Sequence, residues 1–248
     1  MRAITGGIAA AFALAALLCL ALADPRSTAP RVEFALADPP PPLSASSDAD
    51  ALPAVPVATR ARGRHAVVIT GLGLDPDLTA KVLLAAPPEF GLAYSPYADD
   101  LKNQLETAAE QGREAYIMLP LPDGAYPRHD PGGLAILPTL SLDEKIARFD
   151  LLLPAGARAA GYVSEASDLW SGNRIKPLGL AYLTRPQTTV SDSLPGLEAA
   201  EAALRAVSRS ALPALVFVDA KPGLVNAAIK WAAMQAEPLA YPSNFKEP

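Results

Sequence analysis

The feature that most constrains this chain is a series of short apolar segments that alternate with amphipathic stretches after Gly63. The seven apolar segments begin at His65, Phe90, Ala115, Ala160, Gly179, Ala214 and Pro238. Several of them are almost continuously apolar, which is typical of parallel strands that are covered on both faces. We therefore predict an α/β protein with seven strands.

Helix signals fill most of the gaps between these segments. Asp75 followed by Pro76 indicates a helix that ends near Ala86. Ser141 with Glu144 forms a capping-box pattern at the start of another helix. Further helices are predicted from Asp99 or Asp100 to Gly112, from Leu197 and from Leu224. An alternation of strands and helices of this kind favours a parallel sheet or barrel with right-handed crossovers.

Two connections lack the expected regular pattern. Residues 122–140 form a long connection, and a second irregular segment from Ser167 to Leu178 stands where a regular helix is expected. Long connections inside a compact domain are usually functional or mobile. Both follow predicted strands, at the end of the strands where parallel α/β proteins build their sites. We expect the functional site there.

The first 63 residues have a different character from the rest. Residues 4–23 carry no charge and end in Ala21-Leu22-Ala23, a pattern that fits either a cleaved signal peptide or an uncleaved membrane anchor. Residues 24–63 contain eight prolines and are predicted to form a semi-extended linker. The predicted organisation is therefore signal or anchor 1–23, linker 24–63 and folded domain 64–248. Either N-terminal alternative predicts export, with the domain in the periplasm or facing the exterior.

Charge and cysteine content exclude several classes of protein. The chain of 248 residues has a formal net charge of -5 and no cluster of Lys and Arg, which argues against nucleic-acid binding. Its one cysteine, Cys19, lies in the first segment. The folded domain can therefore form no disulfide and no thiolate metal site. Contact with a membrane is expected only through the N-terminal segment.

Five stretches of the domain together resemble a known family. They are VVITGLGLD from Val67, LAYSPYADD from Leu92, AEQGREAYIMLPLPDG from Ala109, DPGG from Asp130 and AGYVSEASDLW from Ala160. In this order they are similar to the motifs of the divergent polysaccharide deacetylases. The resemblance extends over residues 64–245. It implies an exported protein of carbohydrate metabolism with a distorted seven-stranded parallel β/α barrel.

The positions that carry the chemistry of this family are different in this chain. The resemblance implies a pair of aspartates on the first strand, one as base and one as metal ligand. That pair corresponds to Thr70 and Gly71. The Asn-His of a later motif corresponds to Ser164 and Glu165, and a motif glutamate to Pro122. A hydroxyl and a glycine cannot replace two carboxylates as proton acceptor and anionic ligand. We therefore expect no metal-ligating residues and no cofactor.

Three residues are candidates for catalysis if activity remains: His129, Asp75 and Asp219. They would form a rearranged site for amide or ester hydrolysis, and only this alternative predicts a zinc-like divalent metal. Each also has a simpler interpretation. The sequence favours these: His129 as an exposed loop residue, Asp75 as a helix cap, and Asp219 as a solvent-exposed partner of Lys221.

Four further residues are candidates for ligand binding. Tyr126 and Trp170 lie in the two irregular connections and could stack on a sugar ring. Asp130 and Glu165 would supply polar contacts beside them. His65 precedes the first strand, at the end opposite the expected site, and is predicted to be a surface residue.

Three functional hypotheses follow. The first is a deacetylase-like barrel that has lost its metal ligands and binds an envelope glycan or a protein partner. The second is an active hydrolase of an envelope polysaccharide with the rearranged site. The third is a membrane-anchored interaction or scaffold protein whose proline-rich segment recruits a partner. The fold by itself does not discriminate among them.

Overall fold

The computed structural model describes residues 63–154, 157–184, 186–191 and 193–246. The predicted signal or anchor at 1–23 and the linker up to residue 62 lie outside the described residues. None of the described helices combines the length and the hydropathy that crossing a membrane requires.

Seven parallel strands form one curled sheet, which confirms the predicted barrel class. The strands are β1 His65–Leu72, β2 Gly91–Tyr94, β3 Ala115–Met118, β4 Gly161–Val163, β5 Ala181–Leu183, β6 Thr188–Val190 and β7 Ala214–Asp219. Their order is β5-β4-β3-β2-β1-β7-β6. This is the circular order of a barrel, with β5 and β6 as the two edges of the sheet.

Six α-helices are present among the described residues. They are α1 Pro76–Ala85, α2 Leu101–Glu110, α3 Leu142–Leu152, α4 Leu169–Ile175, α5 Leu197–Arg209 and α6 Pro222–Ala233. The predicted start signals are confirmed. Asp75 accepts a hydrogen bond from the Leu78 N–H at the start of α1, and Ser141 and Glu144 form the capping box of α3. Five of the six were predicted from sequence.

The sixth helix corrects the sequence analysis. The segment Ser167 to Leu178 was expected to be irregular, but it contains α4 and a following 3₁₀ turn. Asp168 stabilises the start of α4, because its Oδ2 accepts hydrogen bonds from both the N–H and the hydroxyl of Ser171. The helix is seven residues long, too short to show a clear period in the sequence.

The seventh strand was assigned to the wrong segment. The apolar run from Pro238 makes one backbone hydrogen bond to β1, from Ala240 N to His65 O, and then enters a 3₁₀ helix at Pro242–Phe245. Pro238 and Pro242 have no N–H to donate, so a regular ladder does not continue. The strand that the sequence analysis missed is β6, which has three residues, two of them threonines.

The sheet separates two apolar clusters. The larger lies between the sheet and the helices, and includes Ile69 and Leu105. The smaller lines the inside of the curled sheet, where Tyr116 and Phe217 contact Ala240 and Phe245 of the C-terminal segment. Alternate residues of β1 therefore pack into different clusters, as the two-residue period of a strand requires.

The C-terminal segment covers the end of the barrel at which the strands begin. Glu114, just before β3, is buried, and its carboxylate accepts hydrogen bonds from the Tyr116 hydroxyl and from the N–H and hydroxyl of Ser243. His65, at the same end, was predicted to be a surface residue. That prediction was wrong, because His65 is only 7% exposed and its ring packs 5.8 Å from Trp231 of α6.

We expect Gly161→Ala to destabilise the protein by about 3 kcal/mol, because an added methyl group overpacks a closed contact between strands. A Cβ at this position would lie 2.0 Å from the carbonyl oxygen of Ala181 on β5. Urea denaturation of the full chain measures the effect.

Gly172→Ala in α4 is the matched control. A Cβ there would make an ordinary contact 3.4 Å from the Tyr182 ring, and replacing a helical glycine should stabilise by about 1 kcal/mol. Equal effects of the two substitutions would contradict the observed packing of β4 against β5.

Candidate functional site

A shallow cavity of about 190 Å³ lies at the ends of β1, β3, β4 and β7. This is the carboxyl end of the parallel sheet, where the sequence predicted a site. Its apolar wall includes Met118, Leu121 and Phe217. Its polar lining residues are Thr70, Asp123, Ser164, Glu165 and Asp219. We refer to it below as the mouth cavity.

Thr70 and Asp219 form the base of the mouth cavity. The β1–β7 ladder places them directly opposite each other. Thr70 is only 6% exposed, and its hydroxyl donates to Asp219 Oδ1 at 3.2 Å. Burial raises the pKa of the Asp219 carboxyl, and the hydrogen bond from Thr70 opposes this effect. Asp219 is therefore a half-buried acid with a fixed orientation.

Glu165 follows β4 and lies at the rim of the mouth cavity. Partial burial raises the pKa of its carboxyl, and the negative charge of Asp219 raises this pKa further. A hydrogen bond from Thr189 of β6 acts in the opposite direction. The pKa of Glu165 thus depends on Asp219 across the cavity, and the pKa of each carboxyl is raised above its usual value.

His129 and Asp123 form a pair at the solvent edge of the site. His129 Nδ1 lies 2.9 Å from Asp123 Oδ2, and both side chains are largely exposed. The hydrogen bond with His129 is the main cause that lowers the pKa of Asp123. Asp123 lines the mouth cavity, so it connects His129 to the site indirectly.

The long connection at 122–140 is held in place by Tyr97. The Tyr97 hydroxyl donates to the Pro131 carbonyl oxygen at 2.7 Å and accepts from the Leu134 N–H at 3.0 Å. Gly132 has a φ of +91°, and a Cβ there would lie 2.6 Å from the Tyr97 hydroxyl oxygen. The glycine in the DPGG sequence therefore permits both the turn and the close approach.

The other predicted site residues lie elsewhere. Asp75 caps α1. Asp130 accepts a hydrogen bond from the Gly132 N–H within its own turn. Tyr126 is 44% exposed in the long connection. Trp170 packs edge-on against Phe149 of α3, with ring centroids 5.9 Å apart.

The structure therefore brings together only part of the predicted set. Among the described residues, Glu165 and Asp219 line the mouth cavity, and His129 reaches it through Asp123. Sequence reasoning did not single out Thr70 or Met118 as binding residues. Their position near the ends of predicted strands could have placed them at the site. However, threonine and methionine are not residue types that by themselves indicate a binding role.

The resemblance to the divergent polysaccharide deacetylases is confirmed over part of the chain. Residues 67–167 match the sequence profile of that family, which is described as divergent polysaccharide deacetylase. No curated protein matches the chain significantly. The matched residues include most of β1, all of β2 to β4 and the long connection at 122–140, and they end at the first residue of the second connection, Ser167.

Two solved structures share the fold. An uncharacterized protein from Agrobacterium tumefaciens C58 is similar with a TM-score of 0.55 and 18% identity, covering 68% of this chain and 82% of its own. A protein from Enterococcus faecalis V583, to which cellobiose-phosphate cleavage has been ascribed, is similar with a TM-score of 0.51 and 11% identity. That match covers 74% of this chain and 98% of the other.

The metal that the deacetylase fold implies does not fit the residues of this site. The described part of the chain holds no group of three His, Cys, Asp or Glu side chains placed to share one ion. The resemblance implies two aspartates near the end of β1, where this chain has Thr70 and Gly71. Asp219 is the one carboxylate in contact with Thr70, and its partner is a hydroxyl rather than a second ligand.

We expect Asp219→Asn to raise the free energy of unfolding at pH 7. A carboxyl whose pKa is raised in the folded state favours folding as pH falls through that pKa, so its ionised form reduces stability at neutral pH. Asparagine keeps an oxygen that accepts from Thr70 but carries no charge. The advantage over the wild type should narrow from pH 7 to pH 4, as followed by urea denaturation.

Asp123→Asn is the control with the opposite sign, since the pKa of Asp123 is lowered. Its carboxylate supports folding at neutral pH, so this substitution should bring no gain there. A D219N variant that is less stable than the wild type at pH 7 would contradict the account of the Asp219 environment.

Proposed function

We propose that this protein is exported and binds a segment of an envelope glycan in the mouth cavity, without a metal ion and without hydrolysing it. The observation that carries the proposal is the composition of the cavity. Two carboxyls with raised pKa values, Asp219 and Glu165, lie beside an apolar wall that includes Phe217. Such carboxyls can accept or donate hydrogen bonds, which suits sugar hydroxyls, while the wall suits the apolar face of a ring.

The charge of the cavity limits the ligand. Among the described residues, its lining includes three carboxyls and no Lys, Arg or His. An anionic sugar would meet unfavourable charge there, so the bound unit is uncharged or carries an amine. The small volume suits one sugar unit rather than a long segment.

The loss of hydrolysis is proposed on the basis of Thr70 and Gly71. A family that uses two carboxylates at these positions gives no route to the same chemistry through a hydroxyl and a glycine. The match to the deacetylase family and the structural likeness to a protein named for cellobiose-phosphate cleavage support a carbohydrate ligand. Export is proposed from the uncharged residues 4–23.

Isothermal titration of the full chain in detergent tests the proposal. The probes are cellotetraose, tetra-N-acetylchitotetraose (chitotetraose below) and tetragalacturonic acid, of which we expect a neutral one to bind and the anionic one to bind at least tenfold more weakly. Glu165→Gln and Asp219→Ala should each weaken binding about tenfold, since each removes a charged hydrogen-bonding group. Asp77→Asn on α1, away from the cavity, is the control and should leave affinity unchanged.

Three results would overturn the proposal. The first is that none of the probes binds. The second is an affinity that neither Glu165→Gln nor Asp219→Ala changes. The third is retention of about one divalent ion per chain after dialysis, which would favour a metal-assisted hydrolase instead. Such a hydrolase would also release acetate from chitotetraose in the same samples.

A further inference from the structure

One main-chain donor beside the mouth cavity, the N–H of Gly71, is hydrogen-bonded to a side chain. The pairing of β1 with β2 is regular at Val68 and Ile69, and its register then shifts before Leu72. Gly71 lies in this irregular stretch with a φ of +82°, a conformation that few residues other than glycine adopt. Irregularities of this kind turn backbone groups out of the ladder and are frequent beside active sites.

The Gly71 N–H is directed across the inside of the barrel. It donates to the thioether sulfur of Met118 at 3.1 Å. Met118 ends β3, and β2 lies between β1 and β3 in the sheet. This hydrogen bond therefore joins β1 to β3, which are not adjacent in the sheet. Thr70, Gly71's neighbour in sequence, and Met118 both line the mouth cavity.

This hydrogen bond is easily exchanged for a better one. A thioether is a weak acceptor, and the methionine side chain is flexible enough to rotate away. A hydroxyl or carbonyl oxygen is a stronger acceptor for a backbone N–H. Gly71 is exposed, and no atom lies within 4 Å of the position a Cβ would take, so a ligand can approach this residue from solvent once the Met118 side chain rotates away.

We propose that the Gly71 N–H is a ligand-binding group that Met118 covers in the free protein, and that it donates to an uncharged hydroxyl or carbonyl oxygen of the bound sugar. This inference rests on the proposed function and deepens it. Asp219 and Glu165 nearby disfavour an anionic oxygen at this position. Met118 then acts as a cover that the ligand displaces.

The first test follows the Gly71 amide by ¹⁵N–¹H correlation spectra of the full chain in detergent. On addition of chitotetraose or cellotetraose, its proton resonance should move downfield, with the same midpoint as the resonances of Glu165 and Asp219. If both probes shift Glu165 and Asp219 but only chitotetraose shifts Gly71, the acceptor is the acetamido carbonyl oxygen, and a Gly71 shift with both probes indicates a hydroxyl. In both cases the sugar oxygen accepts a hydrogen bond from the Gly71 N–H.

Met118→Leu separates the covering role from simple packing. Leucine has nearly the same volume but no acceptor. The Gly71 amide should shift upfield in the free protein, and affinity for the neutral probe should rise severalfold, because the ligand no longer breaks a hydrogen bond. Met234→Leu, at an exposed methionine after α6, is the matched control and should change neither quantity.

The outcomes distinguish failure of this inference from failure of the proposed function. If Glu165 and Asp219 respond to the probe while Gly71 does not, the inference is wrong and glycan binding stands. If none of these residues responds, the proposed function fails. An unchanged Gly71 amide in free M118L would show that the sulfur does not cover the N–H, which overturns the inference independently of any ligand.

Discussion

The ladders on both sides of β1 are the interaction on which the rest of the structure depends. β1 pairs with β7 at six consecutive positions, from His65 to Thr70, and with β2 on its other side. Its apolar residues are fully or almost fully buried in two different clusters. The register with β7 fixes Thr70 against Asp219. The irregularity against β2 contains Gly71, whose N–H donates to Met118. The local geometry of the site therefore follows from the pairing of a single strand.

Much of this architecture could be predicted from the sequence, because continuous apolar runs and capping residues are strong local signals. Six strands and five helices follow from them. β6 was missed because Thr188–Val190 is short and half-buried, and its place is set by pairing with β7 rather than by its own pattern. The run from Pro238 was predicted to be a strand because it is hydrophobic. Hydrophobicity indicates burial only, and this segment is buried inside the curled sheet without being a strand.

The site was harder to predict, because its residues are separated along the chain and united only by the sheet. Glu165 and Asp219 were found, since both follow strands at the correct end. Asp75 was grouped with them for the same reason, but its carboxylate is occupied in capping α1. Thr70 and Gly71 show why the fold persists without the aspartates of the family motif. The ladder uses backbone groups, so side chains at the end of β1 can change while the strand remains.

The C-terminal segment has a consequence for how a polymer can approach this protein. Glu114 and Ser243 fasten that segment beneath the sheet, and Ala240 and Phe245 pack into the inner cluster. The curled sheet is therefore blocked along its axis at that end. A linear chain therefore has no passage along the axis through that end. A glycan that binds as proposed would therefore present a terminus, a branch or a single protruding unit to the mouth, rather than pass through the barrel along its axis.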